Sequence, residues 1–280
     1  MKKLAKIPAL RKFLLPLLRM TALDLSIRHP YVPGQKIFLN SYKHKGYWYH
    51  GENREKETME LFQKILKPGM HVVEVGGHIG YITLYFKYLV GENGKVDVFE
   101  PGSNNIPYIK KNISKFLTGN AGIKLWECAA GDQDGEVAFY EEELTGQNNS
   151  VVKNFPGLAA NASAAYVPLE TNERVVQEIK LDTAFAEGGV DFIKIDVEGF
   201  EKSVVVGAQK IIETYHPMLM VEIQADRQFL YDFFVERGYR LYLPSGKQVT
   251  DPSVLTYNTF MLHPAKHADV IKDQFGQGQA

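Results

Sequence analysis

The segment VVEVGGHIGYITLYF, residues 72–86, indicates how the whole chain is built. It starts as a short β-branched run, turns at a cluster of glycines and continues with the spacing of an apolar helix. A strand that enters a helix through such a turn lets a ligand approach the backbone, where the first helical amides are free donors. The segment therefore predicts a nucleotide-cofactor turn, with Gly76, Gly77 and Gly80 at the closest approach.

Downstream of this turn, apolar strand-like runs alternate with helical patterns to the end of the chain. This alternation predicts an α/β fold with a doubly wound, mostly parallel sheet that is covered on both faces. The runs YRLYLP and TFMLHP, at residues 239–244 and 259–264, have no long helix between them, so an antiparallel edge strand is expected. We place this domain at residues 70–265 and a C-terminal tail at 266–280.

Residues 1–69 form an N-terminal extension with a different pattern. The run KIFLNSYKHKGYWYHG, at 36–51, is rich in aromatic residues and is expected to be strand-like, and its aromatics could either stack on a sugar or pack in the core. An amphipathic helix is predicted over 53–66, capped by Asn53 and stopped at Pro68. The aromatic residues concerned are Tyr42, Tyr47, Trp48 and Tyr49.

The composition excludes some classes of protein. The 280 residues carry a net charge of −1, which gives no broad electrostatic attraction for nucleic acid. Cys128 is the single cysteine, so the chain forms no intrachain disulfide and no cysteine-based metal cluster. We expect a cytoplasmic protein that has no nucleic-acid partner; the sequence leaves its oligomeric state open.

The first 25 residues contain six Lys or Arg before the first acid, Asp24. The apolar stretches between them are too short and too often interrupted to span a bilayer. Two interpretations remain: residues 1–20 could contact an anionic membrane surface peripherally, or they could form an ordinary packed helix with solvated lysines.

The type of cofactor follows from residues around the turn. Glu100 ends the next strand, where a carboxylate can bind the two hydroxyls of a ribose. The spacing Gly-Gly-x-x-Gly departs from the dinucleotide fingerprint, and Glu74 in the leading strand suits a ligand with positive charge better than a pyrophosphate. The run from Cys128 to Asp132 is expected to end the third strand, which places Ala130 and Asp132 at the cofactor site, where Asp132 could accept a hydrogen bond from an adenine amino group. These features favour S-adenosylmethionine over a nicotinamide cofactor.

Several segments together resemble the FkbM family of S-adenosylmethionine-dependent methyltransferases. The most specific of them is IKIDVEG, residues 193–199, followed by Glu201. The resemblance implies a seven-stranded Rossmann-like methyltransferase sheet and transfer of a methyl group to a hydroxyl oxygen, often on a sugar or secondary metabolite. The other matching segments are VVEVGGHIGYITL (72–84), VDVFEP (96–101), AAGDQDGEVAFY (129–140), LDTAF (181–185) and PMLMVEI (217–223).

The acids that end the fourth and fifth strands are the catalytic candidates. Asp196, Glu198 and Glu222 are expected over the crevice at the carboxyl ends of the strands, where one could orient or deprotonate the acceptor. They could instead cap helices or pair with lysines. We predict no metal site, although these oxygen donors would suit Mg²⁺. His78 is assigned to the cofactor turn, with structural hydrogen bonds favoured over a role as base.

Two other functions use the same sheet. A nicotinamide-dependent oxidoreductase would bind NAD at the turn, and a non-catalytic glycan-binding protein would bind the methyl donor poorly. The expected partner is a small-molecule or glycan acceptor, and the sequence does not specify which. The polar stretch 143–172 could form a lid or a wall of the acceptor site.

Overall fold

The computed structural model describes residues 19–117, 119, 121–142, 144–153, 171–255 and 258–276. The predicted basic segment therefore lies almost entirely outside the described residues, as does most of the stretch 143–172. No helix in the described ranges is long and apolar enough to cross a membrane.

The N-terminal extension begins with an antiparallel hairpin and continues with two helices. The hairpin pairs Asp24 with Asn40 and Arg28 with Lys36. The aromatic run is a strand only over its first five residues; the segment around Gly46 is helical, so the expectation of strand over the whole run was wrong. The elements are β1 (Asp24–Arg28), β2 (Lys36–Asn40), α1 (Lys45–His50) and α2 (Lys56–Ile65).

The next part of the chain contains the predicted strand–turn–helix and its repeat. The four residues of β3 after His71 are all buried. A strand that is covered on both faces of the sheet has such a continuous buried run. The elements are β3 (His71–Val75), α3 (Tyr81–Val90), β4 (Lys95–Phe99), α4 (Ile106–Ser114) and β5 (Ile123–Trp126).

A three-stranded sheet separates the two halves of the domain. Its strand order is β6-β8-β7, with β7 and β8 paired antiparallel over eight residues. The short run after Cys128 was expected to end the third strand of the main sheet, but it belongs here, because the chain leaves the main sheet after Trp126. The strands are β6 (Ala129–Ala130), β7 (Gly135–Glu142) and β8 (Thr171–Ile179).

The second half of the domain supplies the remaining strands and helices. Residues 201–215 form two short helices, with Gly207 between them. The predicted tail is not a separate element, since Phe275 is buried against Tyr242 and Phe260. The elements are α5 (Leu181–Ala184), β9 (Phe192–Ile195), α6 (Glu201–Val206), α7 (Gln209–Tyr215), β10 (Met218–Glu222), α8 (Arg227–Glu236), β11 (Arg240–Tyr242), β12 (Gln248–Val249), β13 (Asn258–Leu262) and α9 (Pro264–Val270).

The main sheet has the order β12-β11-β13-β10-β9-β3-β4-β5. Neighbouring strands from β10 to β5 are parallel, which confirms the predicted α/β class. Strand β13 runs antiparallel between β10 and β11, and the two-residue β12 is an antiparallel edge strand. The sheet thus has the seven expected strands and one very short addition. The antiparallel strand of the final pair, β13, was expected at the edge but lies between β10 and β11.

Successive residues of the central strands point to opposite faces, and each face has its own core. Val72 and Phe192 pack with helices α2 and α3, whereas Val73 and Ile193 pack with helices from the second half of the chain. Phe62 of α2 contacts Phe192 edge-to-face, with ring centroids 5.7 Å apart. The N-terminal extension therefore forms part of one face of the domain and reaches the edge of the sheet where the strands end.

Candidate active site

A cavity of about 490 Å³ opens at the carboxyl ends of the parallel strands. Crevices of this size at this edge of an α/β sheet are the usual place for cofactors and substrates. The predicted residues that line it are Glu74, Gly76, Gly77, His78, Glu100, Ala130, Asp196, Glu198 and Glu222. Two predicted residues, Gly80 and Asp132, are not among its lining residues.

The glycines of the turn are required first by the protein's own packing. Gly76 has φ +89°, and a Cβ atom there would lie 1.9 Å from the carbonyl oxygen of Asp196. A Cβ atom on Gly77 would lie 2.3 Å from Val98. The amides of Gly76 and Gly77 both donate to the carbonyl of Phe99, at 3.0 and 3.1 Å. The turn is therefore clamped between the neighbouring strands, and its shape is fixed before any ligand binds.

Gly80 lies behind the cavity at the start of α3. Its φ of +84° and the side chain of Ile109, 3.0 Å from a hypothetical Cβ, both require glycine. The prediction of close ligand approach at Gly80 was therefore misplaced. The side of Gly80 where a Cβ atom would stand faces Ile109 of helix α4 and not the cavity.

Glu100 is held by the main chain around it. Its carboxylate accepts from the amide of His78 at 2.7 Å, from the amide of Gly102 at 2.8 Å and from the side chain of Asn105 at 3.2 Å. Burial raises the pKa of Glu100 to about 7, against the lowering effect of these hydrogen bonds. A carboxylate has about four acceptor positions, so Glu100 keeps capacity to accept hydrogen bonds from a ribose. Its position is fixed by the turn that it supports.

Glu74 lies beneath the turn and is almost completely buried. It accepts from the hydroxyl of Thr83 at 2.6 Å. Burial raises the pKa of Glu74 to about 7, and the charge of Lys194 opposes that rise. The residue is thus a buried acceptor that the cavity reaches, as the sequence predicted for a ligand with positive charge.

His78 is neutral and has a defined tautomer. Its Nε2 lies 3.2 Å from the carbonyl oxygen of Thr145, which only accepts, so Nε2 carries the proton. Its Nδ1 then accepts from the hydroxyl of Tyr47 at 2.8 Å. Burial lowers the pKa of His78 to about 3. Because both ring nitrogens already form hydrogen bonds, His78 has no lone pair left to take a proton from an acceptor hydroxyl. This favours a structural role for His78 over a role as base.

Opposite the turn, the ends of β9 and β10 bring together one cation and several acids. Lys194 is fully buried and donates to Asp196 at 2.9 Å. Burial would raise the pKa of Asp196, but Lys194 and a hydrogen bond from Glu222 hold it below its usual range. The charge of Asp196, together with burial, raises the pKa of Glu222. Asp196 is therefore ionised while Glu222 keeps its proton and shares it with Asp196.

Glu198 occupies a left-handed position, with φ +51°, on the loop that follows β9. Its side chain accepts from Gln224 at 2.8 Å, and its carbonyl accepts from Ser150 at 2.7 Å. Burial and the charge of Asp196 raise the pKa of Glu198 to about 8. At neutral pH Glu198 is mainly protonated, so its neutral carboxyl can donate a hydrogen bond to a bound ligand.

Near the strand ends β4 and β6, the cavity wall is largely apolar. Phe99, Cys128 and Ala130 line it, a composition that suits the faces of an adenine ring. Asp132 lies beyond this wall, near Glu178. Its predicted hydrogen bond to an adenine amino group finds no support in this position and stays a prediction.

The sequence analysis missed several lining residues because they come from distant parts of the chain. Tyr47 was considered as a stacking residue, but Arg54 and Glu55 of the extension were not, nor was Asn258 at the start of β13. Gly146, Gln147 and Asn149 come from the polar stretch, as expected for an acceptor wall. No local motif marks these residues, so only the fold reveals them.

Within the described part of the chain, no group of three or more His, Cys, Asp and Glu side chains is arranged to hold a metal ion. The acid cluster is instead balanced by Lys194. Its buried ammonium lies 2.9 Å from a carboxylate oxygen of Asp196.

A parallel α/β sheet with a glycine turn and an acid at the end of the next strand is an arrangement on which open α/β folds bind nucleotide cofactors. A family model, the methyltransferase FkbM domain, matches residues 74–241. The chain belongs to this family. The match begins at Glu74, so it includes the turn and the acid cluster but excludes the N-terminal extension.

Curated relatives resemble parts of the chain. Methyltransferase 1 of Beauveria bassiana is 28% identical over 152 residues, which is 49% of this chain and 57% of the relative. A protein-L-isoaspartate O-methyltransferase of Triticum aestivum is 29% identical over 82 residues, or 29% of this chain and 31% of that protein. The chain thus spans less than two thirds of the length of these relatives.

Solved structures with a similar arrangement are distant. A methyltransferase FkbM from Methylobacillus flagellatus has 14% identity and a TM-score of 0.48, covering 92% of this chain and 60% of that one. Fibrillarin of Aeropyrum pernix with bound S-adenosyl-L-methionine has 11% identity and a TM-score of 0.40, covering 85% and 88%.

Proposed function

We propose that the protein transfers a methyl group from S-adenosylmethionine to a hydroxyl oxygen of a sugar, glycan or secondary metabolite. The observation that carries this proposal is the single cavity in which Glu100 and the glycine turn face the acid cluster of β9 and β10. Membership of the FkbM methyltransferase family supports the reaction type.

The donor fits the half of the cavity formed by β3 and β4. Glu100 accepts from the ribose hydroxyls, the apolar wall near Cys128 covers the adenine, and the start of α3 faces the methionine part. Glu74 provides a buried acceptor close to the positively charged end of the donor. This arrangement leaves the reactive methyl group directed toward the ends of β9 and β10.

The reaction itself needs little covalent chemistry from the protein. The acceptor oxygen attacks the methyl carbon, the carbon–sulfur bond breaks, and the hydroxyl proton must be removed. Asp196 is the ionised acid of its cluster and is assigned as the base. Because its pKa is low, it takes the proton late, when the partly methylated oxygen has become strongly acidic. Positioning of donor and acceptor supplies much of the remaining rate enhancement.

The polar walls suit an acceptor with several hydroxyl groups. The lining residues Gln147 and Asn258 carry amide groups, and protonated Glu198 and Glu222 offer both donors and acceptors. Neutral groups of this kind bind hydroxyls without the cost of burying unpaired charge.

The first experiment is calorimetric titration with S-adenosylmethionine, its demethylated product S-adenosylhomocysteine, and NAD. We expect saturable binding of the first two alone. Binding of NAD with no response to the other ligands would support the oxidoreductase alternative and refute the proposal. A screen with labelled donor against oligosaccharides, lipid-linked glycans and small hydroxyl metabolites would then identify the acceptor.

We also propose that residues 1–20 contact an anionic membrane surface. Met20, at the described end of this segment, and Leu23, three residues after it, are 86% and 70% exposed and could insert among lipid head groups. Deletion of residues 1–20 should abolish binding to anionic vesicles without unfolding the protein. Binding by the intact chain should fall with added salt. A truncated protein that unfolds or aggregates would instead indicate a packed helix.

A further inference from the structure

We infer that Arg54, in the N-terminal extension, binds the carboxylate of the donor's methionine group. This inference rests on the proposed donor. Arg54 lies between the last residue of the short 3₁₀ turn Gly51–Asn53 and helix α2, outside the residues that match the family model. It lines the same cavity as the glycine turn.

Stacked contacts hold the guanidinium over the turn. Its central carbon lies 4.4 Å from the centroid of the Tyr47 ring. The Tyr47 hydroxyl donates to His78 at 2.8 Å, and its ring also packs against Tyr81 with centroids 4.8 Å apart. Through Tyr47, the cation is therefore fixed next to the turn and to the first residue of α3.

The two cations among the described lining residues are in different situations. Lys194 is neutralised by Asp196 at 2.9 Å and lies near Glu74. Arg54 has a longer ion pair, 3.4 Å from its Nη2 to Glu55, whose side chain is about one third exposed. A guanidinium has five N–H donors, and this pair uses few of them. Arg54 therefore has N–H donors available to bind a ligand.

A second observation indicates independently that a ligand group which accepts hydrogen bonds binds at this place. Tyr81 lines the cavity, and its hydroxyl is buried without a hydrogen-bond partner among the described residues. Burying a hydroxyl without a hydrogen-bond partner costs free energy. A ligand group that forms this hydrogen bond is therefore expected beside Tyr81. Ile82, the second residue of α3, also lines the cavity, at the end of the helix where amides are free.

A carboxylate satisfies all three groups. It accepts from the guanidinium in bidentate geometry, from the Tyr81 hydroxyl, and from the first amides of α3, where the helix dipole also favours negative charge. The methionine end of the donor carries such a carboxylate, and the donor's place in the cavity puts it near this helix. The extension thus completes the donor site.

The test compares two ligands that differ by the amino acid part. S-Adenosylhomocysteine carries the carboxylate, whereas 5′-methylthioadenosine retains the adenosine and sulfur but lacks it. For Arg54→Gln, we expect the affinity for S-adenosylhomocysteine to fall roughly 10- to 100-fold, the range of a charged hydrogen bond. The affinity for 5′-methylthioadenosine should be almost unchanged. Tyr81→Phe should show the same selectivity with a smaller loss.

Arg237 provides a matched control. Its guanidinium also stacks on an aromatic ring, 3.8 Å from the centroid of Phe233, and pairs with an acid, Glu213, at 3.0 Å, but it does not line the cavity. Arg237→Gln should leave both affinities unchanged, while its melting temperature reports the cost of losing such a stacked pair.

The outcomes separate this inference from the proposed function. Equal losses for both ligands in Arg54→Gln would assign Arg54 a structural role and overturn the inference. Unchanged affinity for both would also overturn it, since the guanidinium would then serve something other than the donor. If the unaltered protein bound neither ligand, the proposed function itself would fail.

Discussion

The two halves of the cavity are built in different ways. The donor half is anchored by main-chain contacts: Glu100 accepts from two backbone amides, and the amides of Gly76 and Gly77 share one carbonyl. The acceptor half depends on side chains whose charges are linked, with one proton shared between Asp196 and Glu222. Substitutions in the first half should therefore affect shape and affinity, whereas substitutions in the second should affect charge and rate.

The largest effect is expected for Asp196→Asn. Loss of the base should lower methyl transfer by about 10²–10⁴-fold, measured with labelled donor and the acceptor found by the screen. The affinity for S-adenosylhomocysteine should hardly change. Stability should also be retained, because Glu222, whose pKa is raised chiefly by Asp196, can ionise in its place beside Lys194.

Glu222→Gln is the matched control for this variant. It exchanges one neutral, hydrogen-bonding group for another of similar shape, so turnover should fall far less than in Asp196→Asn. A greater loss of turnover in Glu222→Gln than in Asp196→Asn would assign the base to Glu222. Near-normal turnover in Asp196→Asn would do the same, and either result would contradict the assignment of Asp196 as the ionised base.

Gly76→Ala tests the donor half. The left-handed φ and the clash with the carbonyl oxygen of Asp196 should together lower the free energy of unfolding by about 2–5 kcal/mol in urea titrations. Gly69 is the matched control. Its φ is +88°, almost the same, but no atom lies within 4 Å of a hypothetical Cβ. Gly69→Ala should cost only the conformational part, about 1–2 kcal/mol. Equal costs would show that the close approach to β9 contributes nothing.

Glu100→Gln should weaken S-adenosylhomocysteine binding by about 1.5–3 kcal/mol, because a charged acceptor of the ribose hydroxyls is lost. Glu141→Gln is its counterpart outside the cavity. Glu141 is also buried and accepts from a backbone amide, that of Ser103, at 2.6 Å. We expect both variants to lose stability and only Glu100→Gln to lose affinity in calorimetry. A similar loss of affinity in both variants would mean that Glu100 affects binding only through the stability of the fold.

The smallest effect concerns pH and the contact between the extension and the donor half. His29 lies 2.9 Å from the carbonyl oxygen of Tyr81 through its Nε2, and its Nδ1 accepts from the amide of Tyr31. Burial lowers the pKa of His29 to about 4, from an ordinary value of 6.5. The neutral form is thus favoured by folding, so its contribution is complete above pH 6.5 and is lost as the pH falls toward 4.

His29→Gln removes this titration. The difference in unfolding free energy between the unaltered protein and the variant should shrink by about 2 kcal/mol between pH 7.5 and pH 5. The exposed His50, in helix α1, offers a control substitution, His50→Gln, that leaves the contact between His29 and Tyr81 in place. A constant difference for His29→Gln across this range would show that the extension is not held through a neutral histidine.

The donor half could be predicted because its parts are close in sequence or follow the periodicity of strands. Gly76, Gly77 and His78 are contiguous, and Glu100 ends the very next strand. Asp196 was predicted at the crevice for the same reason, since the carboxyl ends of parallel strands meet at one edge. Gly80 and Asp132 show the limit of this reasoning. Their residue types fit the pattern, but the direction of the chain after β5 and the packing of α4 take them out of the cavity.

The sequence by itself determined the α/β class, the strand that leads into the glycine turn, the position of Glu100 at the cavity and the membership of the acid cluster, because each follows from local spacing. Only the tertiary structure decided how that cluster is charged, since the shared proton depends on Lys194 and on burial. It also decided that Tyr47 and Arg54 complete the site. They are separated from the turn by helix α2 and a strand, and long-range packing alone brings them together.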